Sequence, residues 1–162
     1  MNGNWLVFGQ QPTAFLALWK EVYAAVQASS LTKGMVAMIW APSYGYGYPY
    51  AGGAYPFNNV TTSPDFMLLD TNKDGVVDGK DDPYSAYYPG DAFVDWVGLS
   101  TYYFGPYFPW QSNALPNATA FTDAVTGANG YGGSNFYQTY SASASAKPFM
   151  ITESGMPIYF KF

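Results

Sequence analysis

Three short apolar runs constrain the fold of this chain more than any other feature. They cover residues 35–40 (MVAMIW), 94–103 (VDWVGLSTYY) and 147–155 (KPFMITESG). Each run is continuous, without strict alternation, and is shorter than an ordinary helix, as expected of strands that are buried on both faces. A helix is predicted at Pro12–Ala28, where apolar side chains recur at helical spacing and a proline stands in the first turn.

The segments between the runs complete this prediction. Two further helices are expected before the third run, at about residues 118–125 and 134–142, whereas residues 41–92 are dense in Gly, Pro and Tyr without any period and are predicted to be a long loop insertion. Helices that alternate with buried strands are typical of parallel sheets, so the expected class is α/β. A length of 162 residues fits one domain.

The residue types that are missing narrow the chemistry. The chain contains no cysteine and no histidine, which excludes disulfides and the Ser-His and Cys-His nucleophile pairs and leaves carboxylates, tyrosines, lysines and bound metal. The net charge is −5 and the few basic residues are scattered, so neither nucleic acid nor an anionic membrane is an expected partner. No apolar stretch approaches the roughly 18 residues of a spanning helix.

The aromatic content points towards sugars. Aromatic side chains make up 20% of the residues and charged ones only 10%. Trp and Tyr can stack on the apolar face of a sugar ring while their polar groups bind its hydroxyls, although any single aromatic residue can equally belong to the core. Two N-glycosylation sequons, at Asn59 and Asn117, are consistent with secretion, and we expect an extracellular protein.

Candidate site residues lie at the ends of the apolar runs. In parallel α/β folds the reactive groups follow the carboxyl ends of the strands. The candidates at the ends of the predicted strands are Trp40, Tyr102 with Tyr103, and Glu153, and Glu153 is one of only two glutamates in the chain. Its position alone leaves two interpretations equally open, a catalytic carboxylate or a surface glutamate that caps the next helix.

Four blocks of sequence together resemble a known family. MNGNW at residues 1–5, IWAP at 39–42, YYPGDAFVDWVGLSTYYFG at 87–105 and KPFMITESG at 147–155 resemble the later strands of glycoside hydrolase family 26, in which β-mannanases are best known. This resemblance covers nearly the whole chain. It implies a partial (β/α)8 TIM barrel, from just after strand four through strand seven, and makes residues 1–162 a single incomplete catalytic domain.

The resemblance also implies an activity and residues for it. The expected activity is that of a retaining endo-β-glycanase, most similar to endo-β-1,4-mannanases, that hydrolyses β-linked polysaccharide of the mannan type. Glu153 matches the family's nucleophile, Tyr102 the tyrosine that hydrogen-bonds it, and Trp5 and Trp40 match substrate-binding positions. The family's acid/base glutamate corresponds to the position immediately before Met1, so we expect the isolated chain to be inactive.

Other carboxylates are not expected to replace that acid/base. Retaining glycosidases need two carboxyl groups about 5 to 5.5 Å apart. Glu21 lies inside the predicted first helix, and Asp95 lies at the start of the second apolar run, which is the wrong end of a strand. We expect Asp95 to have a structural role.

An acidic segment within the long insertion suggests a metal site. Residues 70–82 read DTNKDGVVDGKDD, with oxygen donors at the positions of an EF-hand-type calcium loop and Gly75 at its sixth position. The alternative is a solvated acidic turn. We expect a structural Ca²⁺ that orders the insertion. Its predicted ligands are Asp70, Asn72, Asp74, the carbonyl of Val76, Asp78 and Asp81.

Two alternatives from other functional classes remain open. The chain could be a non-catalytic carbohydrate-binding module whose platform consists of Trp5, Trp40, Trp110 and the tyrosines of SYGYGYPY at residues 43–50. It could also be a calcium-dependent interaction module organised by residues 70–81.

Overall fold

The structure is a computed structural model that describes residues 1–30, 34–50, 52–103, 114–128, 134–142 and 146–156. Its helices are α1 (Pro12–Ala28), α2 (Pro64–Leu69) and α3 (Ala120–Thr126), and its strands are β1 (Ile39–Trp40), β2 (Trp96–Tyr102) and β3 (Phe149–Gly155). Short 3-10 turns span Ser85–Tyr87 and Asp91–Phe93, and Tyr137–Ser141 forms a π-helical turn. Within the described ranges no helix is long and apolar enough to cross a membrane.

Helix α1 has the bounds that the sequence predicts. Pro12 stands in its first turn, where a missing N–H costs nothing, and the chain leaves the helix at Ser29 with extended backbone angles. Two hydrogen bonds fix the helix to the rest of the protein. The Thr13 N–H donates to Asp65 Oδ1 at 2.8 Å, and the Trp19 indole N–H donates to the Phe93 carbonyl at 2.9 Å.

All three strands run parallel in one sheet of order β1-β2-β3. Strand β2 lies in the centre, and its residues Val97 and Leu99 are fully buried. Because the strands are parallel, their carboxyl ends meet at one edge of the sheet, which brings the residues after β1 together with the ends of β2 and β3.

The prediction of a partial (β/α)8 TIM barrel is wrong. The described residues form an open sheet of three strands, in which β1 and β3 are edges, and β1 is only two residues long. A barrel requires every strand to be paired on both sides. The connection from β1 to β2 also lacks the long crossover helix of a barrel unit, because its one α-helix, α2, has six residues.

Hydrogen bonds at Met38 fix where β1 begins. The Met38 carbonyl accepts the N–H groups of both Asp95 and Trp96, and the Met38 N–H donates to Asp95 Oδ2 at 2.7 Å. These bonds anchor the chain just before β1, so the regular strand begins only at Ile39. Asp95 therefore has the structural role expected of it, at the amino end of the sheet.

Helix α2 lies inside the stretch predicted to be loop. Its first turn is capped by Ser63, whose hydroxyl accepts the Phe66 N–H at 3.1 Å, and Pro64 stands next to the cap. The helix buries Phe66 and Leu69. A serine followed by proline is a helix-start signal, but six residues are too few for a visible period.

Much of the aromatic content is core. Trp40 is fully buried, stacks on Phe136 with ring centres 5.5 Å apart, and meets Tyr88 and Tyr140 edge to face. Tyr84 is also buried, and its hydroxyl accepts the Gly45 N–H at 2.8 Å. Burial raises the pKa of Tyr84, so this phenol remains neutral. These aromatic side chains pack on the face of the sheet that carries Trp40 and Val97.

Candidate active site

The centre of the candidate site is a hydrogen bond between β2 and β3 near their carboxyl ends. The Tyr102 hydroxyl donates to Glu153 Oε2 at 2.9 Å. Tyr102 is the last residue of β2, Glu153 lies in β3, and both side chains reach solvent, Tyr102 with 39% of its surface exposed. The contact that the family resemblance implies between these two residues is therefore present.

Glu153 follows an irregularity in the pairing of β2 with β3. Leu99 is paired with Ile151, but the next residue of β2, Ser100, is paired with Glu153. Thr152 is thus an extra residue in β3, and the strand has a β-bulge there. Bulges change the direction of the following side chains and are common next to active sites.

Gly155 provides the surface on which the Tyr102 ring lies. A Cβ atom at Gly155 would lie 3.3 and 3.4 Å from the ring atoms Cε1 and Cδ1 of Tyr102, so the ring packs directly against the β3 backbone. Tyr102 and Gly155 are partners in the strand register. The ring is held along β3, and its hydroxyl points back towards Glu153.

The electrostatics keep Tyr102 protonated. The hydrogen bond to Glu153 raises the pKa of Tyr102 above its ordinary value of 10, and desolvation and the negative charge of Glu153 act in the same direction. A phenol is neutral below its pKa, so the upward shift extends the pH range in which Tyr102 donates a proton. At neutral pH Tyr102 is therefore a neutral phenol that can donate the hydrogen bond to Glu153.

The N-terminal segment is bound to the same edge of the sheet. The fully buried Asn2 side chain accepts the Ser43 N–H at 3.0 Å and donates to the Ser43 carbonyl at 2.7 Å. Ser43 in turn forms a parallel bridge with Ser100, the register partner of Glu153. Sequence reasoning missed Asn2 and Ser43, since nothing in their local sequence indicates a contact across 41 residues.

The two predicted substrate-binding tryptophans have different environments. Trp5 is 50% exposed and meets Tyr50 edge to face at 5.0 Å, so one side of its indole is open to a ligand. Trp40 is 0% exposed, and the prediction that it offers a stacking face is wrong in this arrangement because Phe136 occupies that face. Trp110 lies outside the described residues.

The predicted calcium loop has tight turns at its start. The Asp70 carboxylate accepts the N–H groups of Asp74 and Gly75, and Asp74 Oδ1 accepts the N–H of Val76. Lys73 and Gly75 both have positive φ angles, 63° and 85°. These turns bend the backbone around the Asp70 side chain.

The later predicted ligands point to other partners. Asp78 accepts the Lys80 N–H and forms an ion pair with the Lys80 ammonium at 3.5 Å. Asp81 is fully buried and accepts hydrogen bonds from Thr71, Asn72 and Asp78. Across the ranges that the structure describes, no three acidic side chains form a group that could hold a metal ion. The oxygen donors of this loop are of the type that Ca²⁺ prefers.

Comparison with known proteins leaves the family open. No family model, no curated protein and no solved structure matches this chain. The resemblance to glycoside hydrolase family 26 is therefore a prediction that depends on the four sequence blocks, and the function has to be argued from the geometry at the sheet edge.

Proposed function

We propose that Glu153 is the nucleophile of a retaining glycosidase that acts on β-linked polysaccharide, with mannans as the first substrate class to test. The observation that carries the proposal is the 2.9 Å hydrogen bond from the Tyr102 hydroxyl to Glu153 Oε2, at the carboxyl edge of a parallel sheet. A tyrosine at this place orients the carboxylate by a hydrogen bond to one oxygen and leaves the other oxygen available for attack.

The chemistry assigned to this pair is one displacement. A Glu153 oxygen attacks the anomeric carbon, and a covalent glycosyl ester forms as the bond from that carbon to the leaving-group oxygen breaks. The leaving oxygen keeps the bonding electron pair and, in a polysaccharide, takes up a proton from a general acid. Attack through Oε1 leaves the Tyr102 bond to Oε2 in place during the step. The half-exposed indole of Trp5 is available to stack on a sugar ring. Polysaccharides of this kind occur outside the cell, and the N-glycosylation sequons at Asn59 and Asn117 are consistent with secretion.

A substrate that leaves without protonation isolates the role of Glu153. A 2,4-dinitrophenyl β-mannoside needs no acid catalyst, because the dinitrophenolate is already a stable anion. We expect the chain to release about one equivalent of dinitrophenolate in a burst and then to slow, because this leaving group makes formation of the ester faster than its hydrolysis. If dinitrophenyl mannosides, glucosides and xylosides all fail to give a burst with folded protein, the proposal is wrong.

Removing the tyrosine hydroxyl tests its role. Tyr102→Phe should slow the burst about tenfold, which is less than the 100- to 1,000-fold loss typical of a donor in a water-excluded site, because this pair is exposed. Tyr55→Phe is the matched control, since Tyr55 is 44% exposed and lies on another segment. Stopped-flow absorbance gives both rates. Equal burst rates for the two variants would show that Tyr102 has no part in the step.

Glycan binding without catalysis is a second candidate. Tyr44 and Tyr46 lie nearly parallel, with ring centres 6.3 Å apart and an angle of 7° between the rings. Tyr46 is 59% exposed and Trp5 is 50% exposed, so the N-terminal half of the chain has aromatic surface that a glycan could contact. Calorimetric binding of mannohexaose in the absence of any burst, with loss of binding in Trp5→Ala, would favour this candidate over the glycosidase.

We also propose that residues 70–81 bind Ca²⁺. Support comes from the six oxygen donors in EF-hand order and from the turns around Asp70, which place the N–H groups of Asp74 and Gly75 on its carboxylate. Binding would require Asp78 to leave Lys80. The resident ion would supply structural order to this loop.

Calcium addition should therefore raise the melting temperature. A ligand that binds only the folded state at 100 times its Kd adds about 2.7 kcal/mol of stability. Isothermal titration calorimetry and thermal melts in Ca²⁺ and in chelator measure this. Asp74→Ala should remove the difference, whereas Asp65→Ala, in the first turn of α2 and outside the loop, should retain it. Identical melting temperatures with Ca²⁺ and with chelator, and no heat of binding, would contradict the calcium proposal. The loop would then be a solvated acidic turn.

A further inference from the structure

The bulge in β3 decides on which face of the sheet Glu153 lies. Side chains alternate between the two faces of a strand, so Ser100 and Tyr102, two residues apart, share one face. In an unbulged β3 the partner of Ser100 would be Thr152, and Glu153 would be opposite Thr101, on the other face. The extra residue at Thr152 makes Ser100 the partner of Glu153 and so places the carboxylate on the same face as Tyr102.

Two contacts hold Thr152 in the bulge. Its hydroxyl oxygen lies 3.2 Å from the Ser100 hydroxyl oxygen, a distance at which either group can donate. On the other side its methyl group packs over Gly98, where a Cβ atom would lie 3.1 Å from Thr152 Cγ2 and 2.5 Å from the Met150 carbonyl oxygen. Because residue 98 is a glycine and has no Cβ atom, the Thr152 side chain has space to pack there.

The geometry points to Thr152 as a positioning residue that, held by Ser100 and Gly98, brings Glu153 within hydrogen-bond distance of Tyr102. Thr152 does not touch the reacting atoms in this account and acts through the direction of the next residue. The catalytic role of Glu153 rests on the proposed function. Its position next to Tyr102 is a property of the fold and can be measured without substrate.

Removing the Thr152 hydroxyl should uncouple the pair. In protein labelled with ¹³C at tyrosine Cζ, NMR titration of wild type should show the Tyr102 pKa above that of Glu153→Gln, where the carboxylate charge is absent. Thr152→Val keeps the side-chain shape and should lower the Tyr102 pKa towards the Glu153→Gln value. It should also weaken the nuclear Overhauser contact between the Tyr102 ring and the Glu153 side chain. Thr152→Ser restores a hydroxyl and should titrate as wild type.

Controls separate positioning from a general loss of structure. Thr101→Val removes the neighbouring hydroxyl on the other face and should leave the Tyr102 titration unchanged. If Thr152→Val does not fold, as judged by circular dichroism, Ser100→Ala removes the same hydroxyl pair from the other side and should give the same downward shift. A folded Thr152→Val or Ser100→Ala variant with a wild-type Tyr102 pKa and a wild-type ring contact overturns the inference.

Failure of this inference and failure of the proposed function give different results. A folded Thr152→Val protein that titrates as wild type contradicts the positioning role even when the wild-type chain gives a dinitrophenolate burst. Absence of the burst in the wild type contradicts the glycosidase proposal, while a shifted Tyr102 pKa in Thr152→Val still supports the positioning role.

Discussion

Glu153→Gln is expected to abolish the dinitrophenolate burst, with a fall in rate of at least about 1,000-fold, because an amide oxygen is a far weaker nucleophile than a carboxylate. Glutamine keeps nearly the same shape and can still accept a hydrogen bond from the Tyr102 hydroxyl at the position of Oε2. The loss would therefore report the missing charge and nucleophile, and a collapse of the site would not explain it. Stopped-flow absorbance with the activated mannoside measures the effect.

The matched control for Glu153→Gln is the same change at the other glutamate. Glu21 is exposed on α1, so Glu21→Gln should give a burst of wild-type rate and size. Equal bursts from both variants would mean that the leaving group is displaced by some other residue or by water. Loss of the burst in both would indicate a general effect of charge or folding.

Asp81→Ala is expected to cost about 3 to 5 kcal/mol of folding free energy. The Asp81 carboxylate is fully buried, and its two oxygens accept the backbone N–H groups of Thr71, Asn72 and Asp78 and the Thr71 hydroxyl. Alanine leaves these buried donors without their acceptor, and each unsatisfied group costs about 1 to 3 kcal/mol before water enters the space.

Urea denaturation in chelator measures this loss without any contribution from calcium. Lys80→Ala is the control next to Asp81, because its ammonium is exposed and forms only a surface ion pair with Asp78. It should change the free energy of unfolding by less than about 1 kcal/mol. A loss below 1 kcal/mol in Asp81→Ala would mean that the carboxylate does not organise this loop.

Some elements could be predicted because their determinants are local. The bounds of α1 were predicted from Pro12 and from apolar side chains at helical spacing. The structure confirms the helix at Pro12–Ala28. The contact between Tyr102 and Glu153 was expected from the family resemblance, which aligns both residues at the carboxyl ends of neighbouring parallel strands. Each of these predictions uses neighbours in sequence or at most one strand pairing.

The environment of Trp40 could not be predicted in the same way. A continuous apolar run shows no alternation, so its sequence does not indicate which face will meet the core and which will face a cleft. The decision depends on Phe136, which lies 96 positions later in the chain and stacks on the indole. Aromatic composition alone is equally compatible with a core and with a sugar platform.

The bulge could not be predicted and the barrel prediction was wrong for the same reason, because both depend on contacts between distant parts of the chain. No glycine or proline marks Thr152, and its displacement depends on Ser100 and Gly98 in another strand. The barrel prediction assumed a number of strands and a closure that three apolar runs cannot specify, and the structure has an open three-stranded sheet. Strand count and register are set by contacts distant in sequence, which a pattern within one run does not contain.

The most direct test of the account is to locate a trapped sugar on the chain. Incubation with 2-deoxy-2-fluoro-β-mannosyl fluoride should leave one fluorosugar ester per protein molecule, because the fluorine slows its breakdown. Tandem mass spectrometry of the peptides should place that ester on Glu153. An ester on any other residue, or an unlabelled chain under conditions where the fold is intact, would contradict the claim that this carboxylate attacks the sugar.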